Sequence, residues 1–193
     1  MRWGIAPDGT QYTPAFPFPY FARLSDVDLA DLKAYLDGLP PVPHRVAAPA
    51  SLALFARARA AIGVAVTGIF GQPPALPSGA SPIARGAYLV ATVGRCGDCH
   101  TPLTWLGVPD SDRFLAGSPG GFWGVKTPDI TPAAKNGIGR WSEDDIVYLL
   151  KEGGTPDGDF VGGAMAEIVR NTARLTDDDR RAIAAYLKTV PPK

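Results

Sequence analysis

The stretch "RCGDCH", residues 95–100, holds both cysteines of the chain and one of its two histidines. Two residues separate Cys96 from Cys99, and His100 follows directly. Cys-x-x-Cys-His is the spacing of covalent haem attachment, in which two thiols bond one edge of the porphyrin and the histidine supplies an axial nitrogen. The stretch therefore predicts a c-type haem site built on Cys96, Cys99 and His100.

Two other uses of a Cys-x-x-Cys pair remain as alternatives. A structural zinc site needs about four ligands, and beyond the motif the chain offers only His44, which lies in the proline-rich stretch "PPVPHRV". A redox dithiol of the thioredoxin type needs a βαβ setting, and the sequence shows no convincing strand alternation. Both alternatives are less well supported than haem.

A six-coordinate haem needs a second axial ligand, and the candidate is Met165 in "GGAMAEIV". A lone methionine often fills a core. Here Gly162 and Gly163 precede it, and we expect them to let the backbone approach closely. His/Met ligation raises the reduction potential of the iron and suits electron transfer. If Met165 does not bind, the open sixth position would instead suit a haem enzyme or a gas-binding protein.

The composition limits the class of protein. The chain has 193 residues, is 46% hydrophobic and carries no formal net charge, so no general attraction to nucleic acid is indicated. It has 22 glycines and 20 prolines, which predicts irregular loops between short helices. Runs of β-branched residues are few, so the expected fold class is all-α. The most apolar stretch, residues 60–70, is far shorter than the roughly 20 residues of a membrane span and predicts a packed helix.

Several residues mark the predicted helices and their packing. Ser25, Ser142 and Thr176 are expected N-caps, each with an aspartate three residues later. The predicted core faces are Ile83, Ala87, Leu89 and Val90 before the cysteine motif, and Ile183, Ala184 and Leu187 in the last helix, with Tyr186 beside them. Gly86 would permit close approach of another helix. Three aromatic residues are candidates either to line the haem pocket or to pack in the core without contacting haem: Trp141, Trp123 and Phe122.

The chain also contains a repeat. "PDGTQYTPAFPFPYFARLSDVDLADLKAYLDGLPPV" begins at Pro7, and "PDGDFVGGAMAEIVRNTARLTDDDRRAIAAYLKTVPPK" begins at Pro156. Both start with Pro-Asp-Gly, pass through Arg-Leu-[Ser/Thr]-Asp-x-Asp and Ala-Tyr-Leu, and end at Pro-Pro, which predicts a duplicated domain. We therefore expect residues 1–45 to be the C-terminal part of such a domain without a haem motif. Residues 46–81 are the expected linker with one apolar helix, and residues 82–193 the expected complete domain.

Taken together, these stretches resemble a known family. "RGAYLVATVGRCGDCHTP", "TPDITPAAKNGIGRWSEDDI" and "GGAMAEIVRNTARLTDDDRRAIAAYLKTVPP" are similar to the multihaem cytochrome c subunits of membrane-associated periplasmic dehydrogenases that oxidise alcohols, gluconate or aldehydes. The resemblance implies a class I cytochrome c fold, with haem attached to Cys96 and Cys99, His100 as proximal ligand and Met165 as distal ligand.

The same resemblance implies an electron-transfer role rather than a catalytic one. Its expected partners are a flavin- or quinoprotein dehydrogenase subunit, a neighbouring haem domain, and quinone or a terminal oxidase, with peripheral membrane association through the complex. A non-haem interaction module is the remaining alternative. Haem attachment implies the periplasm or the outer face of the cytoplasmic membrane. The opening "MRWGIAPDGT" has no apolar signal region. Either a signal peptide and the remainder of the first domain lie upstream, or the chain is never matured with haem. A partner that supplies the missing half of the first domain is a further alternative.

The chain departs from the family pattern at two places. Relatives often have Asn and Asp at the positions of Asp129 and Ala133, which puts the local hydrogen bonding of that segment in question. In the preceding domain, relatives place a methionine near Phe16 or Leu24, and neither is a methionine here. The first segment is therefore expected to bind no haem, and the chain to bind one.

Overall fold

A computed structural model describes residues 2–9, 12, 18–44, 81–105, 109–120, 124 and 126–193. The chain divides into two compact units, Met1–Leu76 and Pro77–Lys193. Within the described residues there is no β-strand, only three isolated bridges, and the predicted all-α class is confirmed. None of the helices in these ranges is long and apolar enough to cross a membrane. The predicted helix at residues 60–70 lies outside the described residues.

The first unit contains two described helices, α1 (Phe18–Phe21) and α2 (Asp26–Asp37). The N-cap of α2 is Ser25, as predicted: its side chain accepts a hydrogen bond from the amide of Asp28 at 3.1 Å. Phe18, Ala22 and Leu24 are buried. No residue of α2 itself is buried.

The second unit contains five described α-helices. They are α3 (Pro82–Tyr88), α4 (Cys96–His100), α5 (Glu143–Glu152), α6 (Gly163–Thr172) and α7 (Asp177–Thr189). A π-helical turn, Leu89–Val93, continues α3, and a short 3₁₀ turn, Ser111–Arg113, follows α4. Ser142 and Thr176 cap α5 and α7 as predicted.

The core of the second unit forms where α3, its π-turn and α5 all pack against α7. Its buried members are Leu89, Val90, Leu115, Ile138, Ile146, Leu150, Ile183, Ala184, Leu187 and Val190. The predicted face of α7 is confirmed, and Tyr186 packs partly buried beside it. Ile83 was predicted to be in the core, and this is wrong: it is 48% exposed. It lies in the first turn of α3, before the helix reaches α7.

Gly86 is the point of closest approach between α3 and α7. A Cβ placed on Gly86 would lie 1.9 Å from the carbonyl oxygen of Ala182 and 2.7 Å from the Cβ of Tyr186. The prediction that Gly86 admits another helix is confirmed. Beside the crossing, the guanidinium of Arg85 donates to both carboxylate oxygens of Asp179, at 2.7 and 3.0 Å. This bidentate pair fixes the angle between the two helices.

The two predicted copies of the repeat share backbone geometry. Gly4 and Gly153 both have left-handed φ, as do Gly9 and Gly158. Six backbone hydrogen bonds recur at matching positions. In the first copy the amide donors and carbonyl acceptors are Tyr12 to Gly4, Gly9 to Ala6, Ala22 to Phe18, Arg23 to Tyr20, Leu24 to Phe21 and Leu29 to Ser25. In the second copy, in the same order, they are Val161 to Gly153, Gly158 to Thr155, Ala173 to Val169, Arg174 to Asn171, Leu175 to Thr172 and Arg180 to Thr176. We call residues 4–39 and 153–190 the first and second copies. The shared bonds support the duplication, while the predicted domain boundaries stay predictions.

Candidate functional site

Three of the four predicted site residues lie on one helical turn, α4. Cys96 and Cys99 are both free thiols, and residues three apart share a face of a helix. Arg95, which precedes α4 with a left-handed φ of 50°, pairs with Asp98 between the two cysteines. The turn therefore presents two thiols side by side, with His100 at its end.

Both thiols are protonated at neutral pH. Burial, with smaller contributions from Cys99 and Asp98, raises the pKa of Cys96 to about 11. Burial also raises the pKa of Cys99, with a smaller contribution from Asp98. The raised pKa values disfavour the thiolate form that a metal ion such as zinc would bind.

His100 is buried, and its ring is fixed by a single strong contact. Its Nδ1–H donates to the carbonyl oxygen of Pro128 at 2.8 Å. Burial lowers the pKa of the imidazole, although this contact and Asp129 oppose the change. The ring is therefore neutral, with its proton on Nδ1 and a lone pair on Nε2. That is the tautomer and orientation that an axial nitrogen ligand requires.

The backbone of α4 is held by two segments, residues 115–118 and 127–131, which we call the clamp. The carbonyl of His100 accepts from the amide of Gly117 at 2.8 Å, and the carbonyl of Cys99 accepts from the hydroxyl of Thr127 at 2.6 Å. The Thr101 hydroxyl accepts from the amide of Leu115 at 3.1 Å. The clamp therefore binds the last turn of α4 through both backbone and side chain.

Ser118 and Thr127 join the two segments of the clamp. The Ser118 amide donates to the Thr127 carbonyl at 3.0 Å, and the Thr127 amide donates to the Ser118 carbonyl at 2.8 Å. Gly117 has a φ of +75°, and a Cβ there would lie 2.6 Å from the amide nitrogen of Asp129. Asp129 keeps the local bonding that its departure from the family pattern put in question, because its carboxylate accepts from the amide of Thr131 at 2.7 Å. The clamp thus stays intact with Asp129 in place.

Met165 lies in the first turn of α6 and is partly buried. Val169 is the buried residue of this helix, and the hydroxyl of Thr172 donates to the carbonyl of Leu150 on α5 at 2.6 Å. The expected close approach at Gly162 and Gly163 is not seen among the described residues, since a Cβ on either would meet nothing within 4 Å. Gly163 instead supplies a left-handed φ of +56° at the start of α6.

The residues present fit a covalently attached haem. Two neighbouring free thiols and a neutral, oriented imidazole form the donor set. The alternative zinc site gains no support, because the described residues hold no group of three or more His, Cys, Asp or Glu side chains able to bind a metal ion. Trp141 packs against the core, whereas Trp123, Phe122 and Phe16 lie outside the described residues.

Comparison with known proteins decides the family. The cytochrome c family model matches residues 83–191, more than half of the chain. The chain belongs to the cytochrome c family. This confirms the predicted cytochrome c domain and supports a covalently bound haem c as its cofactor.

The curated relatives agree with the family and are longer than this chain. A diheme cytochrome c-type protein of Cereibacter sphaeroides is 45% identical over 193 residues, covering 99% of this chain and 63% of the relative. The cytochrome c subunit of the quinone-type alcohol dehydrogenase of Gluconobacter oxydans is 39% identical over 99% of the chain and 42% of the relative. The gluconate 2-dehydrogenase cytochrome c subunit of Pantoea cypripedii is 33% identical over 100% of the chain and 46% of the relative. The chain spans less than two thirds of each. The predicted resemblance to cytochrome c subunits of dehydrogenases is confirmed.

Sequence reasoning missed the clamp. Leu115, Gly117, Thr127 and Pro128 hold α4 through backbone groups or one hydroxyl, and none of them belongs to the cysteine motif. The sequence signal that could have predicted the clamp is the pair of stretches "LAG" (residues 115–117) and "KTPDITP" (residues 126–132), whose glycine and prolines indicate turns.

Proposed function

We propose that this cytochrome carries electrons through one haem c, attached at Cys96 and Cys99, with His100 and Met165 as axial ligands. The haem supplies the one-electron chemistry. The observation that carries the proposal is the His100–Pro128 hydrogen bond beside two free thiols, since it leaves the Nε2 lone pair available at a fixed orientation.

Each of these residues has a proposed role. Cys96 and Cys99 tether the cofactor, and the clamp holds the imidazole so that it does not reorient when the charge of the iron changes. Met165 fills the sixth position from α6, which leaves no site for oxygen chemistry. The buried apolar side chains next to α4, including Leu115 and the partly buried Phe114, exclude water from that side.

The relatives' names support the proposed partners. They are cytochrome c subunits of dehydrogenases, so we propose that this chain accepts electrons from a dehydrogenase subunit and passes them toward quinone or a terminal oxidase. Covalent haem attachment, which occurs outside the bacterial cytoplasm, supports a location on the outer side of the cytoplasmic membrane. One relative is named diheme, whereas the single Cys-x-x-Cys-His of this chain supports one haem in residues 82–193 and none in residues 1–45.

The attachment test is co-expression, behind an export signal, with a cytochrome maturation system. A denaturing gel stained for haem should show a labelled band, and the pyridine haemochrome should give one haem per chain. Cys96→Ser with Cys99→Ser should remove the stain. His44→Ala, which changes the other histidine, is the matched control and should keep it. No stain in the wild-type chain would contradict the proposal and leave a non-haem module.

The ligand test uses the same holoprotein. Wild type should show the weak far-red ferric absorption band of a thioether–iron bond, and Met165→Leu should lose it. Rapid carbon monoxide binding by reduced wild-type protein would instead favour the five-coordinate haem enzyme or gas-binding alternative.

A further inference from the structure

A buried arginine donates hydrogen bonds to the backbone at the C-terminal end of α6. Arg180, on α7, is 5% exposed at its side chain. Its Nη1 donates to the carbonyl oxygens of Thr172, Ala173 and Leu175, at 2.9, 3.0 and 2.6 Å. The last carbonyls of a helix have no partner within the helix, so one cation here satisfies several at once and complements the negative end of the helix dipole.

The charge of Arg180 is balanced at the surface. Its Nη2 donates to the carboxylate of Asp177 at 2.5 Å, and this bond lowers the pKa of Asp177. Asp177 is 71% exposed, so the ion pair has one end in solvent. The buried guanidinium is therefore held between an exposed carboxylate and the carbonyl oxygens at the end of α6.

The rest of α6 has few attachments among the described residues. Val169 is its buried residue, and Thr172 bonds Leu150, both in the C-terminal half. The N-terminal turn has no side-chain cap, and it begins at Gly162 and Gly163, around which nothing lies within 4 Å of a Cβ position. A helix behaves as a stiff rod over this length, so the position of Met165 is determined by how the far end is held.

The repeat provides an internal comparison. The first copy closes the same turns with the same backbone bonds, yet it has Leu29 where the second copy has Arg180. The arginine is thus not needed to form these turns. The arginine is present in the copy that contains Met165 and absent from the other copy, residues 4–39, which contains no methionine.

We propose that Arg180 is a positioning residue for the distal ligand: it locks the end of α6 so that Met165 stays at bonding distance from the iron. The proposal rests on the proposed function, in which Met165 is an axial ligand. A loosened α6 would let Met165 leave the iron more often, and an added ligand would then compete more easily for the sixth position.

The test is Arg180→Leu, which installs the residue of the first copy, studied as holoprotein well below its unfolding temperature. The readouts are the far-red thioether–iron band of the ferric protein and its affinity for added imidazole. We expect the band to weaken and the imidazole affinity to rise at least tenfold, because bonds of a charged donor to several carbonyls are lost. Arg181→Leu is the matched control: its side chain is 59% exposed and pairs with the exposed Asp144. It should change the affinity less than twofold.

Arg180→Lys provides the conservative variant. An ammonium can serve several carbonyls, as Lys188 does here with those of Ile138, Gly139 and Trp141, so it should restore most of the band. If Arg180→Leu does not accumulate as holoprotein, Arg180→Gln, which removes the charge but keeps a polar side chain, takes its place: an imidazole affinity between those of wild type and Met165→Leu supports the proposal, and one equal to wild type overturns it.

Two other results are decisive. If Arg180→Leu lowers the unfolding temperature but leaves the band and the imidazole affinity within twofold of wild type, the residue is merely structural and the proposal is wrong. If wild type itself lacks the band, the ligand role of Met165 fails first, and with it the proposal that depends on it.

Discussion

Replacing Gly86 by alanine tests the helix crossing on which the second unit is built. The new Cβ would lie 1.9 Å from the carbonyl oxygen of Ala182 and 2.6 Å from its carbonyl carbon. Both are backbone atoms, so no side-chain rotation relieves the clash. Relief needs α3 and α7 to separate by about 1.5 Å, to reach ordinary contact distances.

The expected change in the free energy of unfolding is the sum of two opposed contributions. Overpacking of this kind costs about 3 kcal/mol when backbone must move, whereas alanine is favoured over glycine within a helix by about 1 kcal/mol. We expect Gly86→Ala to lower the free energy of unfolding by about 2 kcal/mol, which corresponds to a fall in Tm of about 5–10 °C for a domain of this size. The buried neighbours Leu89 and Val90 would lose contact with Ala184 and Leu187 as the helices part.

The assay is urea unfolding of the purified holoprotein, followed by far-ultraviolet circular dichroism and compared at constant m-value. The control is Gly120→Ala, because a Cβ there meets nothing within 4 Å and its φ is not left-handed. It should change stability by less than about 0.5 kcal/mol. A Gly86→Ala protein as stable as wild type, or more stable, would refute the close crossing.

Two further predictions concern the caps and the clamp. Hydrogen bonds from the Ser142 amide and hydroxyl lower the pKa of Asp145 below its ordinary 3.8. The ionised carboxylate therefore stabilises the fold at pH values above 3.8. This stabilisation is lost as the pH falls through the lowered pKa of the folded protein. The difference in Tm between wild type and Asp145→Ala should therefore shrink on acidification from about pH 5 to about pH 2.5, and a difference that stays constant would contradict the assignment. Thr127→Val keeps the shape of the side chain but leaves the Cys99 carbonyl without its hydroxyl donor. It should lower the free energy of unfolding, measured by thermal unfolding, by about 1–2 kcal/mol. The control is Thr189→Val, which removes a hydroxyl that donates to Tyr186 at the end of the same helix, and its effect should be smaller.

Local sequence signals predicted the local structure well. The N-caps at Ser25, Ser142 and Thr176 were recognisable because each satisfies amides of its own first turn. At Thr176 the third helical residue, Asp179, has its carboxylate paired with Arg85. This partner lies 94 residues away in sequence, so no local pattern could predict it.

The sequence predicts the proposed haem donors but not the groups that support them. Cys96, Cys99 and His100 are proposed from their spacing alone, because the chemistry of haem attachment requires it. Pro128, which fixes the ring of His100, acts through its carbonyl oxygen, a group that every residue has. The sequence therefore carries no side-chain signal for it. The same holds for the carbonyls that Arg180 binds.

The repeat separates what sequence and tertiary structure each decide. By itself, the sequence determined the turns, caps and helix that α2 and α7 share, because those depend on neighbours within a few residues. It did not determine burial: Leu187 is 6% exposed, whereas Leu36, at the same place in the first copy, is 43% exposed. Within the second unit α3 lies across α7, and only a packed neighbour removes an apolar side chain from water. Tertiary structure therefore decided which of the two matching helices, α2 or α7, packs into a core. It also decided which histidine nitrogen and which helix end are held in place for the proposed haem.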